Sequence, residues 1–299
     1  MADKLDNLAK TLTKVGLAGL VVFGIFLGVL CVSGCVDIPD DPVPEVRSSN
    51  VVCVVIGMET SQRFGACPGC KKDSDGITAL LRSKYGYPVK LLQSEAATRT
   101  AVINTIIAAA DSVPADGLFI LYYSGHGGQE NLADWSTSEP EGADKDDEYL
   151  CLYDDYLLDD EIWELLNRCK GRVFCGFDAC HSATMFRSIG PEIAQRAGKA
   201  VPLASYLVKS SGRFNLKPRA LPLGTESFRM LCWSGCQERE YSYGGTFGGV
   251  MTNAILENWD RDDTYKSLWT KVETAVRLEQ PTQHPQQTQY GTGFDKVFR

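Results

Sequence analysis

Histidine is scarce in this chain: His126, His181 and His284 are all it has in 299 residues. A zinc centre therefore has little to draw on. Cys67-Pro68-Gly69-Cys70 is an isolated C-x-x-C, and no second ligand pair stands at matching spacing, so the pair is not read as a metal or redox site. Basic residues are in deficit too, 30 Lys and Arg against 38 Asp and Glu, for a net charge of −8. Such a chain lacks the positive field that nucleic-acid binding needs, so no nucleic acid is expected as a partner. An acidic site favours cationic substrates instead. No internal repeat is present.

What remains is the balance of a folded globular protein, 44% hydrophobic and 23% charged. The length allows one large domain or two small ones, with a core that needs no staples. Eleven cysteines are many for a cytosolic enzyme and few for a disulfide scaffold. Several, such as Cys53 within Val51–Val55, sit in apolar runs, where a thiol behaves as a small hydrophobe.

One long hydrophobic run stands out. Val15–Leu30 is apolar throughout and carries four glycines; the polar segment Met1–Lys14 precedes it. It has no polar face and reads as a signal peptide or membrane anchor over residues 1–35. Val32-Ser33-Gly34-Cys35 resembles a bacterial lipobox, which implies a lipid on Cys35; an uncleaved single-span anchor is the alternative. Lysines before the run and acids after it put the main domain outside the cytoplasm. Residues 36–50, with Pro39, Pro42 and Pro44 among acids, read as an extended linker. The globular domain is expected over residues 51–299.

Short apolar runs at Val51–Met58 (β-branched), Val89–Leu92, Gly117–Tyr123, Gly171–Phe177 and Phe228–Ser234 predict strands. Helical spacing covers Cys70–Tyr85, Thr98–Asp111, Asp159–Cys169, Phe247–Trp259 and Tyr265–Leu278. The alternation predicts an α/β fold: a mostly parallel sheet with helices on both faces. Trp135 and the acidic run Glu139–Glu148 read as loop. Ser182–Thr225, rich in Lys, Arg, Gly and Pro, breaks the rhythm and is expected to be a long mobile loop.

Two segments carry chemistry. Leu118–Gly128 is an apolar strand ending in Ser124-Gly125-His126-Gly127-Gly128; Val173–Ser182 is another, ending in Asp178-Ala179-Cys180-His181-Ser182. Ligands bind at the carboxyl ends of strands in such sheets. If the two strands are neighbours, His126 and Cys180 face each other across the crevice. An ionised thiol is a strong nucleophile, and an imidazole exchanges its proton. Backbone N–H groups at Gly127 and Cys180 are candidate oxyanion donors. His181 is expected to pack beside the turn, since adjacent residues point apart.

Tyr122–Gly127 with Asp178–Ser182 resembles the metacaspases, a branch of the caspase-like cysteine peptidases. Gly69–Asp73, Asp147-Glu148, Asp159–Glu161, Ser234–Gln237 and Gln283–Gln286 resemble further blocks of that family. The resemblance implies a caspase-like fold and a His126–Cys180 catalytic dyad. It also implies a substrate-binding pocket lined by Cys70, Asp73, Ser124 and Asp178. Two carboxylates in a pocket select Arg or Lys before the scissile bond and repel Asp. Asp73 also reads as a helix first-turn acid, and Asp178 as a hydrogen-bond acceptor for its turn.

The resemblance further implies calcium at Asp147, Asp159 and Asp160, whose oxygens suit that ion. The connection between these acids is short, however, and Arg187 stands where a further acidic ligand would follow Cys180. A solvated acidic loop with a helix N-terminus at Asp159 is the alternative. The chemistry itself requires no cofactor.

The expectation is a membrane-tethered cysteine endopeptidase, acting as a monomer on peptides and proteins with Arg or Lys before the cut. Ser182–Thr225 is then either a self-cleavage region or an ordinary insertion. The competing readings are an aspartate-preferring peptidase and a catalytically silent binding module.

Overall fold

The computed structural model describes residues 48–130, 147–179, 228–237 and 240–299. The Val15–Leu30 run, Cys35, most of the 36–50 linker, Trp135, Cys180, His181, Arg187 and the whole Ser182–Thr225 segment lie outside the described residues. Among the described residues, no helix is long and apolar enough to cross a membrane.

Six strands form the main sheet: β1 (Val51–Gly57), β2 (Val89–Gln93), β3 (Leu118–Ser124), β7 (Arg172–Asp178), β8 (Arg229–Ser234) and β11 (Gln286–Tyr290). Their order is β11-β8-β7-β3-β1-β2. Every pairing is parallel except β11 against β8. A second, antiparallel sheet contains β4 (Gly127–Glu130), β5 (Asp147–Cys151) and β6 (Tyr156–Leu158). A two-stranded hairpin joins β9 (Gly244–Gly245) to β10 (Gly248–Gly249).

The central strands β1, β3, β7 and β8 are largely apolar on both faces because both sheet faces are covered. Along β3, Phe119, Leu121 and Tyr123 face one core cluster, while Leu118, Ile120 and Tyr122 face the other. The first cluster is completed by α2 (Arg99–Ser112) and α3 (Asp159–Leu166). The second is completed by α1 (Cys70–Tyr85), α4 (Val250–Asn258) and α5 (Tyr265–Glu279). The result is a three-layer α/β/α domain.

Helix ends follow from local chemistry. Thr98 caps α2 by accepting from the Ala101 N–H at 3.3 Å, and Pro114 lies just beyond the end of that helix. Gly86, at φ +72°, ends α1 and donates to the Arg82 carbonyl at 3.0 Å. Thr264 and Ser267 form a reciprocal capping box for α5.

Several sequence expectations change. The helix foreseen from Phe247 starts at Val250, because Gly248 adopts φ +105° and Gly249 is extended. That foreseen through Cys169 ends at Leu166. The acidic run to Glu148 reads as loop, yet Asp147 and Glu148 open β5, where pairing with Glu130 and Gln129 of β4 supplies backbone partners. Strand β11, rich in glutamine, gave no apolar signal; it is an edge strand and needs none.

Because both faces of β3 are buried, Ile120→Ala and Leu121→Ala are each expected to cost about 2–5 kcal/mol in urea unfolding. A sheet with one solvated face would spare one of the two.

Candidate active site

The parallel register fixes which strand ends meet. Ser124 at the end of β3 pairs with Asp178 at the end of β7, and with Gly57 at the end of β1. Backbone bonding continues past the strands. Met58 donates to the Ser124 carbonyl at 2.8 Å, Gly235 to that of Phe177 at 2.9 Å, and Gly125 to that of Asp178 at 3.4 Å. The two chemistry-bearing segments are therefore neighbours at the carboxyl edge of the sheet. Cys180 follows two residues after Asp178, outside the described residues.

His126 is half-buried and held at several atoms. Its carbonyl accepts from the Cys151 N–H at 3.0 Å and the Tyr123 hydroxyl at 2.6 Å. Its ring Nε2 lies 3.0 Å from the Ala66 carbonyl. A carbonyl only accepts, so Nε2 is the donor in this contact. Tyr123 is wholly buried, and burial pushes its phenol well above the ordinary range; Cys151, Cys67 and Cys70 lie near it. Gly127 opens β4 directly after His126 and pairs with Leu150.

Asp73 and Asp178 are 1% and 0% exposed, and both aim at the N-terminus of α4. Asp73 Oδ2 accepts from the Ser124 hydroxyl at 2.6 Å, and its two oxygens take the Gly249 N–H at 2.9 and 3.0 Å. Asp178 Oδ2 accepts from the Thr252 N–H at 3.1 Å and the Thr252 hydroxyl at 2.6 Å, while Oδ1 accepts from the Ser242 hydroxyl. Tyr122 shares a further hydrogen bond with Thr252 Oγ1 at 2.7 Å. These donors are neutral hydroxyls and amides, including the free N–H groups of a helix start. They orient the two carboxyl groups toward the start of α4.

Glycine makes the convergence sterically feasible. A Cβ on Gly249 would fall on Asp178 Oδ2, one on Gly248 on Asp73 Oδ1, and one on Gly69 on the Gly245 carbonyl. Gly69 also sits at φ +95°, which suits glycine. It caps the start of α1, whose first residue is the buried Cys70 and whose first turn carries Asp73. Cys70, Asp73, Ser124 and Asp178 thus come together with His126 at one sheet edge.

Sequence reading missed Ala66, Ser242, Gly249 and Thr252, and marked Gln283 only as part of a block resembling the family. Gln283 is fully buried; it donates to the Gly235 carbonyl at 2.7 Å and accepts from the Tyr243 N–H at 2.9 Å. The glycine-rich stretch Gly244–Gly249 was a further available signal for this wall.

Other thiols are poorly suited to nucleophilic work. Burial pushes Cys53 and Cys232 up to about 12 and Cys169 to about 11, and holds Cys151 and Cys175 well above the ordinary thiol range. Few of these are thiolate near neutral pH.

Of the three acids expected to bind calcium, the Asp147 and Asp160 side chains lie outside what is described. The backbone brings all three to one end of the β5–β6 ladder, where Tyr149 pairs with Leu158. Asp159 is buried at the first position of α3, where a helix favours an acid. Among the described residues, no group of three His, Cys, Asp or Glu side chains could hold a metal ion.

Gly249→Ala is expected to cost about 1–3 kcal/mol through overpacking against Asp178, and Thr252→Val about 1–3 kcal/mol through the lost hydroxyl. Gly245→Ala, where a Cβ meets open space, should stay within about 0.5 kcal/mol in the same thermal unfolding series.

The model of the caspase domain family matches residues 50–293. Among solved structures, protein GSU0716 from Geobacter sulfurreducens is similar at a TM-score of 0.62 and 26% identity, with 83% of this chain and 98% of that chain covered. Caspase-1 from Spodoptera frugiperda is similar in fold at a TM-score of 0.54 and 15% identity, with 83% of this chain and 90% of that chain covered. Among curated proteins, none matches.

Proposed function

The chain belongs to the caspase domain family, a family that suggests cysteine peptidase activity, and from that premise we propose an endopeptidase of metacaspase type that cuts after Arg or Lys. The observation that carries the reading is the pair of buried carboxylates, Asp73 and Asp178, converging beside His126 at the sheet edge. A guanidinium or ammonium entering there gains two negative partners, whereas an aspartate side chain meets two like charges.

In this mechanism Cys180 is the nucleophile. His126, with Nε2–H tied to the Ala66 carbonyl, uses Nδ1 to take the thiol proton and return it to the leaving amine. The acyl-enzyme formed on Cys180 is then hydrolysed by water. The N–H groups of Gly127 and Cys180 stabilise the oxyanion. Calcium held near Asp147, Asp159 and Asp160 is part of the proposal; when bound it would neutralise that acidic end of the small sheet. Residues 1–35 tether the peptidase domain to a membrane, outside the cytoplasm.

The test uses the full chain with fluorogenic peptides ending in Arg, Lys or Asp. Arg and Lys peptides are expected to exceed Asp peptides by at least ~100-fold in kcat/KM. Cys180→Ala should lose at least ~10⁴-fold. Asp73→Asn, which keeps an acceptor but removes charge, should lose about 10–100-fold on Arg peptides alone. Preferred turnover of Asp peptides would sink the pocket argument, and no turnover of any peptide would favour a binding module. Rates unchanged by a chelator would remove calcium from the scheme.

For the tether, mass spectrometry of the mature chain is expected to find Cys35 lipidated at a new N-terminus. An intact Met1 would replace the lipid with a spanning anchor, and a soluble, unlipidated terminus would remove the tether.

A further inference from the structure

The C-x-x-C pair is placed where its isolated spacing gave no reason to look. Cys67 Sγ and Cys70 Sγ are in direct contact, 2.6 Å apart, and both side chains are buried. The backbone between them is a closed turn: Cys70 N–H donates to the Cys67 carbonyl at 3.2 Å, and Gly69 takes φ +95°. Cys67 N–H donates to the Glu59 carbonyl at 2.8 Å, so the segment is anchored on its other side too. The neighbours Ala66 and Pro68 are exposed, which leaves a local opening as the route to Cys67. The strand cysteines contrast with this: they lie within the sheet, as apolar side chains would.

We propose that Cys67 and Cys70 form a reversible intramolecular disulfide that clamps the candidate active site. The oxidant is a small-molecule disulfide, RSSR. The Cys67 thiolate attacks one sulfur of RSSR and expels RS⁻, giving a mixed disulfide. The Cys70 thiolate then attacks Cys67 Sγ and expels the second RS⁻. Two cysteine thiols lose two protons and two electrons; RSSR is reduced to two RSH.

The placement gives the bond its consequence, and this part rests on the peptidase reading. Cys67 follows Ala66, whose carbonyl holds His126 Nε2. Cys70 opens the helix whose first turn carries Asp73. A covalent link between the two joins the imidazole's anchor to the carboxylate's helix, in place of a single turn hydrogen bond. Oxidation therefore holds the site in register, and reduction loosens it.

The experiment equilibrates the full chain in glutathione buffers of rising oxidised fraction, quenches with acid and alkylating agent, and maps thiols by mass spectrometry. The expected result is a Cys67–Cys70 disulfide that forms as the oxidised fraction rises and is reversed by reduced glutathione. Cys67 and Cys70 both alkylated at every ratio, or each paired elsewhere, overturns the proposal. In parallel, kcat/KM on an Arg peptide is compared with that of Cys67→Ala, which cannot form the bond. Any mixed disulfide on Cys180 lowers both proteins alike, and the same comparison with Cys67→Ala/Cys70→Ala, which has no pocket thiol to cap, keeps a mixed disulfide on Cys70 from mimicking the clamp, so the two ratios together isolate it. Each ratio of wild type to variant is expected to rise about fivefold on oxidation, and a ratio that stays flat overturns the clamp. A mapped disulfide in a protein that cleaves nothing supports the pair and overturns the peptidase reading instead.

Discussion

The pairing of β3 with β7 is the constraint on which the rest depends. It sets Ser124 opposite Asp178, and each of these residues recruits a further layer. Ser124 holds Asp73, and so the first turn of α1; Asp178 holds Thr252, and so the first turn of α4. Strand side chains alternate between faces, so a slip of one residue would exchange the two cores and turn both residues away from their partners. With apolar residues on both faces, that slip is opposed by the fit of two differently packed cores and by the buried carboxyl groups it would leave without donors.

That edge holds two carboxylates in a buried place, which is unfavourable unless hydrogen bonds replace water. The fold supplies them from its own loose ends. The N–H groups at a helix start have no intrahelical partner, and those of Gly249 and Thr252 point at Asp73 and Asp178. The same helix end carries a partial positive charge that favours both acids. Glycines at 248 and 249 let the backbone approach where any side chain would collide. The proposed preference for a cationic side chain draws on these two carboxyl groups. The C-x-x-C turn lies on the other border, between the carbonyl that orients His126 and the helix that delivers Asp73.

Much of the fold was legible because the strands that matter are buried on both faces. Continuous apolar runs marked β1, β3, β7 and β8, and helical spacing marked α1, α2 and α5 to within a residue or two. Elements that do not depend on apolar burial escaped: the glutamine-rich edge strand β11, the glycine hairpin β9–β10, and the start of β5 within an acidic run. Of the site, the residues whose side chains are chemically distinctive stood out: His126, Cys180, Asp73 and Asp178. Ala66 and Gly249 did not, because each contributes a backbone group, and a backbone group has no signature in a sequence. Thr252 looks ordinary until tertiary packing places it against Asp178.

From its sequence alone, the chain determined an α/β domain and two strand ends bearing an imidazole and a thiol, because burial and residue chemistry are local properties. Tertiary structure decided that these strand ends are neighbours and that Asp73, from a helix far earlier in the chain, joins Asp178 at α4. It also decided that the two cysteines of an isolated C-x-x-C meet beside them. Those outcomes depend on strand order and register, which arise when distant segments pack together and not within any one of them.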